Sequence, residues 1–145
     1  MEKTNVKYNA YIKILEEELR PAMGCTEPIA LAYAAAVARK VLGELPDKVV
    51  IGASGSIIKN VKSVIVPNTD HLKGIPAAAA AGIVAGDPDK ELEVIASVEK
   101  EEIAEMKEFL EKTPISVEHV DNGFTFEIVV TLYKGEAWSR VRIVN

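Results

Sequence analysis

A chain of 145 residues in which 48% are hydrophobic and 27% are charged can bury one core, so we expect a single globular domain. The formal net charge of −5 argues against nucleic acid and acidic membrane surfaces as partners, because binding to phosphates needs clustered lysine and arginine. The single cysteine excludes an internal disulfide, and we see no signal peptide at the start, so a reducing cytoplasm is the expected compartment.

Two stretches at the start of the chain have helical patterns. Residues 6–19 place apolar side chains on one stripe and charged side chains largely opposite, which predicts a surface helix. Residues 28–42 are nearly apolar all the way round, which predicts a central helix covered on most sides. The longest apolar run, residues 28–38, is too short to span a bilayer.

The segment between these helices, RPAMGCTEP at residues 20–28, contains the cysteine. Pro21 ends the first helix and Gly24 permits a tight turn. Thr26 is a good N-cap, and Glu27 falls in the first turn of the second helix, where a carboxylate meets the positive helix end. The segment therefore predicts a sharply defined helix start directly after Cys25.

Cys25 has two interpretations that the sequence leaves open. A lone cysteine is often a small buried apolar residue. Unpaired N–H groups at a helix start instead favour the thiolate, which is both a nucleophile and a metal ligand. Because Cys25 lies in a punctuated loop, where binding residues concentrate, the functional interpretation gains weight.

A second polar segment follows the predicted strand at residues 47–52. We expect residues 53–60 to form a loop, in which Ser54, Ser56, Lys59 and Asn60 could cradle a carboxylate or phosphate. An ordinary connecting loop with a solvated lysine is the more common case.

The remaining patterns predict an α+β fold: a mostly antiparallel sheet with alanine-rich helices packed on one face. The alanine-rich helix at residues 75–85 should pack on the helix at 28–42, followed by a short helix at 87–95 and an outer helix at 99–112. Strands are predicted at 47–52, 61–66, 115–120, 124–133 and 137–144, the last three as an antiparallel meander.

Four motifs together carry a resemblance to a known family: residues 20–28, the segment SIIKN at 56–60, KGI at 73–75 before an alanine-rich helix, and GDP at 86–88. In these motifs the sequence resembles the N-terminal part of the L-cysteine desulfidase family, related to the iron-sulfur L-serine dehydratase alpha chain. The resemblance implies a lyase of amino-acid catabolism that uses a 4Fe-4S cluster to convert L-cysteine or L-serine into pyruvate and ammonia.

The resemblance also implies roles for individual residues. Cys25 would be a cluster ligand or the base. Lys59 and Asn60, with Ser54 or Ser56, would hold the substrate carboxylate. Glu27 would receive the substrate ammonium, although a role as partner of the helix dipole fits it equally well.

A single cysteine cannot hold a four-iron cluster, so the resemblance implies a partner for this chain. Further cysteines would come from a C-terminal domain or a second subunit, and residues 1–145 would be one domain of a longer lyase or one of its subunits, inactive alone. A homo-oligomer is a further arrangement that the sequence leaves open.

Two other functions remain open at this stage. One is a non-catalytic domain for small-ligand binding or assembly with the same fold. The other is a metal-free thiol enzyme, which would need a base beside Cys25, and neither His71 nor His119 can be placed there from the sequence.

Overall fold

The computed structural model describes residues 26–62, 64–66, 69, 71–89, 94–95 and 98–144. Within these residues the chain has an α+β fold, as predicted. The elements in chain order are α1 (Thr26–Leu42), β1 (Lys48–Ala53), α2 (Gly55–Val61), α3 (Ile75–Ala85), α4 (Lys100–Lys112), β2 (Ile115–His119), β3 (Glu127–Lys134) and β4 (Ala137–Val144).

The four strands form one sheet in the order β2-β1-β3-β4. Strand β1 pairs in parallel with β2 and antiparallel with β3, and β3 and β4 form an antiparallel hairpin. Val49, Ile51 and Ala53 of β1 are buried, which suits a strand that has a neighbour on both sides. Two of the three pairings are antiparallel, so the sheet is mostly antiparallel, as expected.

The order of the strands corrects the predicted meander over residues 115–144. β2 does not pair with β3, because β1 lies between them. The residues of β2 after Ile115 are exposed, which fits an edge strand. Residues 121–123, which the predicted meander makes a hairpin turn, instead belong to the connection that leads from β2 past β1 to β3.

The strand predicted at residues 61–66 is also wrong. Val61 is the last residue of α2, where its side chain is buried, and Ile65 forms only an isolated bridge with Lys73. The β-branched residues of this stretch suggested a strand, but burial of one side chain at a helix end accounts for Val61 equally well.

Helix α1 packs on β3 and β4, and the two alanine-rich helices pack on each other, as predicted. Helix α3 also contacts α4 and β2. Its residues from Ala77 to Ile83 are all buried. At the crossing, a Cβ on Gly82 would lie 2.0 Å from the carbonyl oxygen of Ala32, so glycine is what allows the two backbones to approach this closely.

The helix predicted at 6–19 lies outside the described residues, and so does Cys25. Of the short helix predicted at 87–95, Pro88 and Asp89 form a 3₁₀ turn, and residues 90–93 lie outside the described part. The outer helix α4 is confirmed, with a capping box between Glu99 and Glu102. Over the stretches described, helices that could cross a bilayer by length and apolarity are absent.

Candidate functional site

Glu27 and Asn60 form a contact between the first turn of α1 and the last turn of α2. The Nδ2 group of Asn60 donates a hydrogen bond to Oε2 of Glu27 at 3.2 Å. The second carboxylate oxygen, Oε1, is buried and has no hydrogen-bond partner among the described residues. A buried carboxylate oxygen without a donor is costly, so this site can accept a further hydrogen bond from a ligand.

The position of Glu27 in the first turn of α1 agrees with the helix start predicted from the sequence. The positive end of the helix attracts negative charge in this first turn, so the position suits an acidic side chain. An ionised carboxylate is an acceptor only, and the group that best complements its free oxygen is a cationic donor such as an ammonium.

The segment predicted as a carboxylate-binding loop is a helix instead. Residues 55–61 form α2, with Ile57 and Val61, four residues apart, buried against the core. Because successive residues of a helix differ by about 100° in direction, Lys59 and Asn60 lie on different faces. Asn60 reaches Glu27, whereas Lys59 lines a cavity with Lys62 and His119.

Ser54 and Ser56 make structural hydrogen bonds at the start of α2. The Oγ of Ser54 donates to the carbonyl of Thr125 at 2.9 Å and accepts the N–H of Glu127 at 3.2 Å. The Oγ of Ser56 donates to the same carbonyl of Thr125 at 2.5 Å. In this conformation both hydroxyl hydrogens are used within the protein, and both serines tie α2 to the segment that leads into β3.

Cys25, the residue around which the sequence prediction was built, lies outside the described residues. Its neighbour Thr26 is the first residue of α1, so the chain position of Cys25 is directly before the helix that carries Glu27. The structure thus brings Glu27 and Asn60 into contact, ties Ser54 and Ser56 to Thr125, and places Lys59 in a separate cavity.

The sequence did not single out Lys62 or Glu127, and it named His119 only as a candidate base beside Cys25. His119 and Lys62 line the cavity beside Lys59. Glu127 is 1% exposed on the sheet face opposite α1, where Nε of Arg142 donates to its Oε2 at 2.8 Å and Asn122 also donates to it. The sequence shows a glutamate at the start of β3 and alternating arginines in β4. Which arginine meets the glutamate depends on the register of the two strands, and the sequence does not give that register.

The residues of this chain do not by themselves fit a 4Fe-4S cluster. The sequence has one cysteine, and the described residues contain no group of three or more histidine, cysteine or acidic side chains that could hold a metal ion. A four-iron cluster normally needs several thiolates. A cluster would therefore need cysteines from outside this chain.

Comparison with known proteins finds relatives that are all named UPF0597 proteins. The chain is 53% identical over all of its residues to a UPF0597 protein of Desulfitobacterium hafniense, 48% identical over 86% of its residues to one of Treponema denticola, and 41% identical over 94% of its residues to one of Shewanella oneidensis. It spans 34%, 29% and 32% of those three proteins, about a third of their length.

No protein-family model and no solved structure matches the chain. These comparisons contradict the resemblance drawn from the sequence motifs. The relatives form a distinct group under the UPF0597 name, and nothing in the comparisons connects the chain to the L-cysteine desulfidases or the L-serine dehydratase alpha chains. The motifs at residues 20–28 and 56–60 therefore do not establish membership of that family.

Proposed function

We propose that this chain is the N-terminal domain of a longer lyase that removes the β-substituent of L-cysteine or L-serine, and that it binds the ammonium group of the amino acid through Glu27. The observation that carries this proposal is the buried Oε1 of Glu27, which accepts no hydrogen bond from the described residues, beside the hydrogen bond from Asn60 to Oε2. An α-ammonium has three donors and a positive charge, so it can donate a hydrogen bond to Oε1 and pair with the charge of the carboxylate.

The reaction needs no oxidant. A base takes the α-proton, the β-substituent leaves as sulfide or water, and the resulting enamine is hydrolysed to pyruvate and ammonia. In this proposal Glu27 and Asn60 orient the amino group, and the partner region holds the substrate carboxylate, because Lys59 lies in a separate cavity. Cys25, one position before α1, lies close in the chain to Glu27 and contributes its thiolate to the site.

The proposal requires a partner region, because this chain spans about a third of its relatives. We propose that the remainder of the polypeptide, or a second subunit, completes the site and provides the cysteines that would hold a 4Fe-4S cluster together with Cys25. A reducing cytoplasm suits such a thiolate site and is proposed as the compartment.

A second candidate is a domain that binds a small amino acid without catalysis. It rests on the same contact between Glu27 and Asn60, because hydrogen bonds and charge alone can hold the ammonium group of an amino acid. Binding that needs no iron and survives Cys25→Ala, in a protein that releases no pyruvate, would support this candidate over the lyase.

The test is pyruvate release from L-cysteine and from L-serine by the full-length protein, prepared and assayed anaerobically with iron and sulfide. We expect turnover of at least one of the two, its loss in Cys25→Ala, and a KM raised about 10- to 100-fold in Glu27→Gln, which removes the charge that faces the ammonium. Glu44→Gln, an exposed glutamate after the end of α1, is the matched control.

Two results would contradict the proposed lyase activity. The first is an absence of pyruvate from both amino acids under these conditions. The second is turnover that is unchanged in Cys25→Ala.

A further inference from the structure

A cavity of about 620 Å³ lies between α2 and the end of β2. Its lining residues are Gly55, Ile58, Lys59, Lys62 and His119. The titratable groups among them are two lysine ammonium groups and one imidazole, and none of these five described residues carries a carboxylate. This concentration of basic groups is unusual in a chain whose formal net charge is −5.

The basic groups of this cavity have no counter-ions within the described residues. Lys40, Lys112 and Lys134 each form an ion pair, with Asp89, Glu108 and Asp47 respectively. Lys59, Lys62 and His119 form no ion pair or side-chain hydrogen bond with any described residue. The positive charge in the cavity is therefore not neutralised by this part of the chain.

The two lysines repel each other at their spacing in α2, and a bound anion would remove this repulsion. Lys59 and Lys62 are three residues apart at the end of α2, so their side chains lie on the same face. Like charges at this spacing destabilise a helix by a few tenths of a kcal/mol. An anion held between the two ammonium groups would turn this repulsion into two attractive contacts.

Gly55 brings the imidazole into the same cavity. A Cβ on residue 55 would lie 3.3 Å from Nε2 of His119, which is tighter than most such contacts. The absence of a side chain on Gly55 thus leaves room for His119, on the neighbouring strand, to stand against the first turn of α2. The imidazole can donate an N–H to an anion in the cavity.

We propose that this cavity binds an oxyanion, the carboxylate or phosphate group of a small ligand, between Lys59, Lys62 and His119. The site is separate from the contact between Glu27 and Asn60 that carries the proposed function. Lys62 and His119 have no part in the contact with Glu27, and the charge of the cavity would attract an oxyanion whether or not the protein is a lyase.

The test is isothermal titration calorimetry of the full-length protein with sodium phosphate and, separately, with sodium acetate, at constant ionic strength. We expect saturable binding of at least one anion and an affinity at least about tenfold lower in Lys62→Gln and in His119→Gln. Lys100→Gln, which removes an exposed lysine at the start of α4, should bind like the wild type. Stronger binding of phosphate would identify a phosphorylated ligand, and stronger binding of acetate would identify a carboxylate.

The proposal is overturned if neither anion binds saturably, or if Lys62→Gln and His119→Gln bind as tightly as the wild type. All the altered side chains are exposed, so the variants should unfold at the wild-type temperature, and thermal unfolding checks this. Glu27→Gln should keep anion binding. A wild-type protein that releases no pyruvate from either amino acid but binds an anion in this cavity would count against the proposed lyase alone.

Discussion

At the scale of single residues, Asp47 holds the turn between β3 and β4. Its Oδ2 accepts the N–H of Gly135 at 2.9 Å, and its Oδ1 lies 3.3 Å from Nζ of Lys134. The hydrogen bond from Gly135, and then the hydrogen bond and charge of Lys134, lower the pKa of Asp47 below its ordinary value. Asp47 precedes β1, so these contacts also fix the start of the central strand.

This lowered pKa predicts how stability depends on pH. A carboxyl group with a lower pKa in the folded state stabilises the fold above the pKa of the unfolded chain, and the stabilisation is lost as the pH falls through the folded pKa. Asp47→Asn should therefore lower the thermal midpoint at pH 7, and the difference from the wild type should shrink as the pH falls below about 4. The measurement is thermal unfolding of both proteins from pH 7 to pH 3.

Asp121→Asn is the control for this experiment, because Asp121 is exposed and makes no ion pair with the described residues. A difference between wild type and Asp47→Asn that stays constant across the pH range would show that the charge of Asp47 does not carry the effect.

Ser54 gives a second residue-scale prediction, since its buried hydroxyl joins α2 to Thr125 and Glu127. Ser54→Ala removes the hydroxyl that accepts the N–H of Glu127 and one of the two hydroxyls that donate to the carbonyl of Thr125, and should cost about 1–3 kcal/mol of unfolding free energy. Urea unfolding measures this, with the exposed Ser116→Ala on β2 as control. Equal stability of the two variants would contradict a structural role for the Ser54 hydroxyl.

At the scale of elements, the crossing of α1 and α3 depends on small residues. Gly82→Ala would place a methyl group 2.0 Å from the backbone oxygen of Ala32, so one helix must move away from the other. Overpacking of this kind costs about 1–3 kcal/mol and sometimes more. We expect a loss of at least about 2 kcal/mol in urea unfolding.

Gly55→Ala is the matched control for the helix crossing. It is also a helical glycine, but the nearest atom to its added Cβ belongs to the side chain of His119, which can move. If Gly82→Ala is as stable as Gly55→Ala, the backbones of the two alanine-rich helices are not in contact at Gly82.

The elements also show what the sequence could predict. The helices α1, α3 and α4 are long and were predicted within a few residues, because their apolar patterns and end signals agree. Helix α2 was missed because its seven residues are too few for a helical period, and its serines and glycine are typical of a loop. The contact between Glu27 and Asn60 depends on α2 being helical, so it could not be predicted either.

At the scale of the whole molecule, the sheet is organised around β1. The alternation in residues 115–144 predicted three of the four strands correctly. It did not show that β1, far away in sequence, would insert between β2 and β3, because strand order depends on pairing between distant segments. Register likewise decides that Arg142 meets Glu127, fifteen residues earlier.

Substitutions at two paired positions, one buried and one at the edge of the sheet, test this strand order. Ile51 of β1 is completely buried, whereas Val117, its partner on β2, is 38% exposed. Ile51→Ala should cost about 2–5 kcal/mol, and Val117→Ala should cost less than about 1 kcal/mol, since an edge side chain is already partly in water. Urea unfolding of both variants measures the two costs, and equal costs would contradict a central β1 beside an edge β2.

We propose that Glu27 binds the ammonium group of a small amino acid. The most direct measurement is calorimetric binding of L-serine and of 3-hydroxypropanoate, which lacks the amino group, to the full-length protein in a Cys25→Ala background without turnover. We predict that L-serine binds at least about tenfold more tightly, and that Glu27→Gln removes this preference. Equal binding of the two ligands, or a preference that persists in Glu27→Gln, would contradict the claim.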